Sequence, residues 1–177
     1  RRSPARWTRV THETAPGSAG EDHGGMATDD ASRPHRGSDA PRVVAALDGS
    51  DLDGSVVDWA ADEAARERCT LHLVHVLDTG MQFTPHEMLL GEAPSLAEQL
   101  EAQGHVVLQH ALERAGRRRA DLVVTSRIEW GSPAALLVAR SRGARMLVVG
   151  SRHHGRLERA VLGSVALACV HHAHAPV

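Results

Sequence analysis

The residues best placed to do chemistry lie in one stretch near the carboxyl end. Gly150-Ser151-Arg152-His153-His154-Gly155-Arg156 leaves an apolar run, and Gly163-Ser164 then opens a further apolar segment. A loop that enters a helix in this way presents backbone amides with no partner in the helix, carrying about half a positive charge. Gly163 permits close backbone approach, and the Ser164 hydroxyl can cap the helix or donate to a phosphate oxygen. Arg152, Arg156 and Arg159 add positive charge. By itself this is a generic anion site, and ordinary helix capping accounts for the same residues. The second chemical group is Asp48, closing an apolar run at Asp48-Gly49-Ser50. A carboxylate there can accept hydrogen bonds from ribose hydroxyls or a purine amine, or it can simply begin a turn.

These groups depend on the elements that hold them. Val43 to Leu47 reads as a strand buried on both faces. A helix is predicted from about Gly54 to Arg68, with Val56, Val57, Ala60, Ala61, Ala64 and Ala65 on one stripe. Leu71 to Leu77 is a second strand whose two histidines leave its faces ambiguous. A long connection over 78–94 is punctuated by glycine and proline, with Met81, Phe83, Met88, Leu89 and Leu90 as its apolar anchors. Ser95-Leu96-Ala97-Glu98 has the form of a capping box opening a helix to about Arg119. Asp121 to Trp130 reads as a third strand. Ser132 and Pro133 begin another helix. Arg145 to Val149 is a fourth strand, a last helix runs from Gly163-Ser164 to about His172, and Ala175-Pro176-Val177 resembles the truncated opening of a fifth strand. Alternating strands and helices predict an α/β fold: an open, mostly parallel sheet with helices on both faces. Ligands of such sheets sit beyond the carboxyl ends of the strands, which places Asp48, the Leu77–Asp78 region and the Gly150 loop at one edge.

Composition narrows the function classes. The chain has 177 residues and a formal net charge of -2, which removes the usual electrostatic case for nucleic acid or an anionic membrane as a partner. There is one Phe and no Tyr, so base stacking on aromatic platforms is poorly supplied. No apolar run approaches the ~20 residues of a membrane-spanning helix. All 20 basic residues are arginine, and without lysine the phosphate-binding P-loop is excluded. No Gly-x-Ser-x-Gly or His-Glu-x-x-His pattern is present. Among 13 histidines, the densest group is His171, His172 and His174 with Cys169. Neighbouring histidines at a helix end point apart, so a solvated helix end is expected and no metal site. The two cysteines give no disulfide framework, consistent with a cytoplasmic setting. Residues 1–41 hold four of the eight prolines and few large apolar residues, and are expected to be a disordered tail before a domain spanning 42–177. Arg1 is no initiator, and Met26 is the candidate start.

Several segments taken together carry a family resemblance. They are Val43-Val44-Ala45-Ala46-Leu47-Asp48-Gly49-Ser50, Trp59 to Ala65, Leu71 to Val76, Gly131-Ser132-Pro133, Leu147 to Arg152, Val161 to Val165, and His172 to Val177. On these the chain from Arg42 to Val177 resembles the universal stress protein family. The resemblance implies a Rossmann-like five-stranded parallel sheet and, commonly, a homodimer. It also implies ATP as the ligand of one branch of the family, with Mg2+ carried by the phosphates. That branch has Gly, two residues, Gly, nine residues, Gly, then Ser or Thr. Gly150 matches the first position and Gly163-Ser164 the last pair, while His153 stands at the second glycine.

By the same resemblance Asp48 is the acid that meets the nucleoside, and Val76 offers its backbone to adenine. The implied site is Asp48, Val76, Gly150, Arg152, His153, Gly163 and Ser164. The implied role is a nucleotide-responsive stress-response module in which any turnover is slow and incidental. The alternative is a dimerisation or interaction domain of the same family whose motif is broken at His153.

Overall fold

The computed structural model describes residues 40–78, 92–151 and 162–177. Residues 1–39 of the expected tail, the apolar anchors of the 78–94 connection, and Arg152, His153, His154, Arg156 and Arg159 lie outside the described residues. Four parallel strands, β1 (Arg42–Leu47), β2 (Thr70–Leu77), β3 (Val124–Trp130) and β4 (Met146–Val148), form one sheet in the order β3-β2-β1-β4. The helices are α1 (Asp53–Arg66), α2 (Glu92–Arg118), α3 (Pro133–Arg140) and α4 (Ser164–His172).

The alternation of side chains along the strands sorts the two faces. Val43, Ala45, Leu47, Leu71 and Leu73 pack with Val57, Ala60, Ala61 and Ala64 of α1 and Leu108, Ala111 and Ala115 of α2. The run of alanines lets both helices lie close to the sheet. On the other face Val44, Val74 and Leu147 meet Leu137 of α3 and Cys169 of α4. The ambiguity of β2 resolves the same way. His75 shares the α1/α2 face with Leu71 and Leu73, where its ring lies against Gly104 of α2. His72 lies on the other face, hydrogen-bonded to Thr125 Oγ1 at 2.8 Å. Burial, with Arg140, Arg42 and Arg127 nearby, lowers His72 to about 4, so it is neutral at physiological pH.

Several boundaries differ from expectation. The helix predicted to start at the Ser95 capping box begins at Glu92, which puts Ser95 inside the first turn. Pro94 does not prevent this, because the amide it lacks would have no helical partner there. The third strand starts at Val124 because residues 119–122 close a turn, with the Leu122 amide donating to the Arg119 carbonyl at 3.3 Å. No fifth strand is found among the described residues. The final segment makes one sheet-like bond, from the Leu147 amide to the Pro176 carbonyl at 2.9 Å, and Pro176 has no N–H to extend it.

Helices α1 and α2 are also tied by charge. Arg114 Nε and Nη2 donate to the two carboxylate oxygens of Asp58 at 2.7 and 2.6 Å, and Arg119 meets Asp62 at 2.7 Å. The hydrogen bond from Arg114 holds the Asp58 carboxyl below its ordinary 3.8. A carboxyl lowered on folding stabilises above the ordinary aspartate range, and that share is lost as pH falls through it. Asp58→Ala is therefore expected to lower the melting temperature by about 3 °C or less at neutral pH. The difference should fade as pH falls through and below the ordinary aspartate range, and shrink in ~1 M salt. Thermal melts of the two proteins across pH and salt check this.

Candidate nucleotide site

Because β2 and β3 are added on one side of β1 and β4 on the other, the strand order reverses beside β1. In open parallel sheets the crevice for a ligand lies at such a point, beyond the carboxyl ends of the strands. Register brings the expected residues there. Leu47 pairs with His75, so Asp48 and Val76 come level at the ends of β1 and β2. On the other side Ala45 pairs with Val148, and continuing that register sets Leu47 level with Gly150. A Cβ at Gly150 would stand 3.8 Å from Leu52 and Val56 at the start of α1.

A cavity of about 360 Å³ opens at this edge, lined by Asp48, Gly49, His75, Val76, Leu77, Asp78, Leu100, Gln103 and Val107. Leu77, Leu100 and Val107 make an apolar wall. The Val76 side chain packs against the opposite core, which leaves its backbone to the cavity. His75 is buried, and its Nδ1 lies 2.9 Å from the Leu47 carbonyl. A carbonyl only accepts, so Nδ1 carries the hydrogen.

The turn after β1 is held by its own side chains. Asp48 Oδ1 accepts the Ser50 amide at 2.9 Å, so the turn-forming role expected of Asp-Gly-Ser is present. Gly49 has φ +82°, a conformation that costs a residue with a Cβ roughly 1–2 kcal/mol. Asp53 accepts the Asp48 amide on Oδ1 at 3.2 Å and the Gly49 amide on Oδ2 at 2.9 Å.

Of the expected site residues, Asp48 and Val76 line the cavity. Gly150, Gly163 and Ser164 do not, although Gly150 ends the neighbouring strand. Val165, in the first turn of α4, packs against the same core as Val149. Gly163, extended at φ -60° and ψ 154°, takes the cap position of α4. This corrects the reading of Ser164 as the cap: Ser164 is the first helical residue and is exposed. Ser132 does occupy the cap of α3 but makes no side-chain cap bond. Cys169 is buried, whereas His171 and His172 are exposed with their rings 6.1 Å apart.

Gln103, His75 and Asp53 went unnoticed in the sequence. Gln103 gives no signal, since a polar residue on a long helix usually faces solvent. An aspartate opening a helix is a recognisable sign, and only its reach back across the turn is hidden. Among the described residues the cavity lining carries two carboxylates, Asp48 and Asp78, and no arginine.

A family model described as the universal stress protein family matches residues 40–177. A universal stress protein of Mycolicibacterium smegmatis is 32% identical over 142 residues, covering 76% of this chain and 46% of the relative. The chain thus spans about half the length of that curated relative. Among solved structures, a universal stress protein family member from Burkholderia pseudomallei is 32% identical with a TM-score of 0.58, covering 80% of this chain and 96% of the other. The UspA structure from Lactobacillus plantarum has a TM-score of 0.64 at 22% identity, over 77% of this chain and 94% of that one. Another structure, 24% identical with a TM-score of 0.57, is a universal stress protein in complex with cAMP, covering 78% of this chain and 94% of the other. One from Archaeoglobus fulgidus, at 22% and 0.53, is in complex with dAMP, covering 77% of this chain and 94% of the other. No helix among the described residues is long and apolar enough to cross a membrane.

Proposed function

The chain belongs to the universal stress protein family, and on that premise we propose that it is an adenine-nucleotide-binding module of stress-response regulation. The observation that carries this reading is the cavity at the ends of β1 and β2, where Asp48 and the Val76 backbone meet under an apolar wall from α2. Adenine takes the wall, and Asp48 accepts from a ribose hydroxyl or the purine amine. The phosphates run from there toward the end of β4 and the start of α4. There Gly150, Gly163 and the exposed Ser164 offer backbone amides and a hydroxyl. Arg152 and His153 belong to this end of the proposal. ATP is the proposed ligand, with Mg2+ carried on its phosphates, and the family structures with cAMP and dAMP support an adenine nucleotide more broadly. The proposed unit is a cytoplasmic homodimer built on residues 42–177, with the exposed Leu167 and Val170 of α4 as apolar contacts. Neither nucleic acid nor a membrane is a proposed partner.

Purified protein should carry adenine nucleotide or take it up. Saturating AMP or ATP with magnesium, at about 100 times Kd, should raise the melting temperature by roughly 5–10 °C. No shift at ~10 mM of either nucleotide overturns the reading and favours the interaction domain with a motif broken at His153.

A further inference from the structure

His75 lines the cavity and is only 8% exposed. Its two ring nitrogens have different roles. Nδ1 donates to the Leu47 carbonyl at 2.9 Å, so in the uncharged ring Nε2 carries a lone pair and no hydrogen. Nε2 has no hydrogen-bond partner among the described residues. The ring cannot turn over to exchange its nitrogens without giving up the Leu47 bond. Its other edge lies along α2 at Gly104, where a Cβ would stand 2.9 Å from Cδ2 and 3.5 Å from Nε2. A fixed acceptor therefore stands beside the helix that supplies Leu100 and Val107 to the wall, one residue before Val76.

We infer that His75 is a specificity-determining residue of this cavity, its Nε2 accepting a hydrogen from the 6-amino group of a bound adenine and rejecting purines that carry an oxygen there. The inference rests on the nucleotide reading for the ligand and on the fixed tautomer for the selection. A base laid on the apolar wall turns its polar edge toward the strand ends, where His75 and the Val76 backbone stand. An amine at that edge donates to Nε2. A 6-oxo group sets oxygen against a nitrogen lone pair, two acceptors with no hydrogen between them. A bare hydrogen at position 6 leaves Nε2 unsatisfied. Asp48, whose Oδ1 already holds the Ser50 amide at 2.9 Å, is left for a ribose hydroxyl.

Calorimetry on the full chain compares AMP with inosine monophosphate and with purine riboside monophosphate, which has only hydrogen at position 6. The unmodified protein should bind AMP about tenfold or more tightly than either analogue. His75→Asn separates base reading from structure, because the asparagine amide nitrogen stands in for Nδ1 toward Leu47 while nothing replaces Nε2. In that variant AMP should weaken by about tenfold, the two analogues should stay within about threefold, and the preference should disappear. Nitrogen NMR of the His75 ring needs no variant. AMP should shift the Nε2 resonance, and purine riboside monophosphate should not.

Equal affinity for AMP and both analogues in the unmodified protein overturns the inference and leaves the nucleotide reading standing. So does a preference for AMP that survives in His75→Asn, since a carboxylate then reads the amine. A uniform loss of all three ligands in that variant makes His75 structural alone and overturns it as well. An Nε2 resonance unmoved by AMP overturns it whatever the variant does. Binding of none of the three removes the nucleotide reading, and the inference with it.

Discussion

Asp48→Asn is expected to weaken AMP and ATP binding by about 10–100-fold while leaving the melting temperature within about 2 °C of the unmodified protein. The asparagine keeps the shape and the acceptor that the Ser50 amide uses at 2.9 Å, so the turn after β1 survives. What it removes is the charge. A hydrogen bond accepted by a carboxylate contributes about 1.5–3 kcal/mol against roughly 1 for a neutral acceptor, and each 1.4 kcal/mol is about tenfold in affinity. Asp48→Ala should cost at least as much affinity and, having lost the turn bond as well, should also melt earlier. The pair of variants therefore divides the two roles read for Asp48. Unchanged affinity in the asparagine variant with a loss confined to the alanine variant would make Asp48 a turn residue alone. Titration calorimetry beside thermal melts gives both quantities.

How much of this was legible in the sequence follows from the range of each interaction. Strand and helix identity came from local pattern, and the unbroken apolar run of Val43 to Leu47 or the stripe from Val56 to Ala64 needs no partner to be read. Boundaries were less so, because they depend on whether a particular amide finds an acceptor. Ser95 looked like a cap and was not one, since nothing in Glu92-Ala93-Pro94 forbids one more turn. The edge at which Asp48 and Val76 meet was readable too, because parallel strands joined by helices can point their carboxyl ends only one way. The wall of the cavity was not. Val107 packs partly in the core, and Gln103 is exposed on its helix. Which helical residues overhang a strand end depends on how far α2 leans across the sheet, and no spacing encodes that. Asp53 lay between these cases: its residue type was a visible helix-start signal, its target two strand-end amides that only the folded turn presents.

The closeness of α2 to the sheet can be tested at Gly104, deep in that helix. A glycine there costs about 1 kcal/mol relative to alanine, and the structure shows what stands in the way of the better helix former. A Cβ would lie 2.9 Å from His75 Cδ2 and 3.1 Å from Ile128 Cδ1. Ile128 can yield, because the atom is the end of a flexible chain. The imidazole cannot, because its Nδ1 is bonded to the Leu47 carbonyl at 2.9 Å and its Cβ is fixed in β2. Either the ring moves and gives up its bond to the Leu47 carbonyl, or α2 lifts and opens the core at Leu108 and Ala111. Overpacking of this kind costs about 1–3 kcal/mol. Gly104→Ala should then be destabilising by about 1–2 kcal/mol after the gain in helix propensity. Gly104→Val, with two further carbons and a stiff χ1, should reach about 3 kcal/mol or more, a fall in melting temperature of roughly 6–12 °C. His75→Ala should recover most of the Gly104→Ala loss in the double variant, leaving a coupling of about 1 kcal/mol or more. A neutral or stabilising Gly104→Ala would mean that propensity alone decides the position and that the helix does not ride this close to His75. Because the same ring lines the cavity, the alanine variant should also weaken AMP binding at temperatures well below its melt, where a purely global loss of stability leaves affinity untouched.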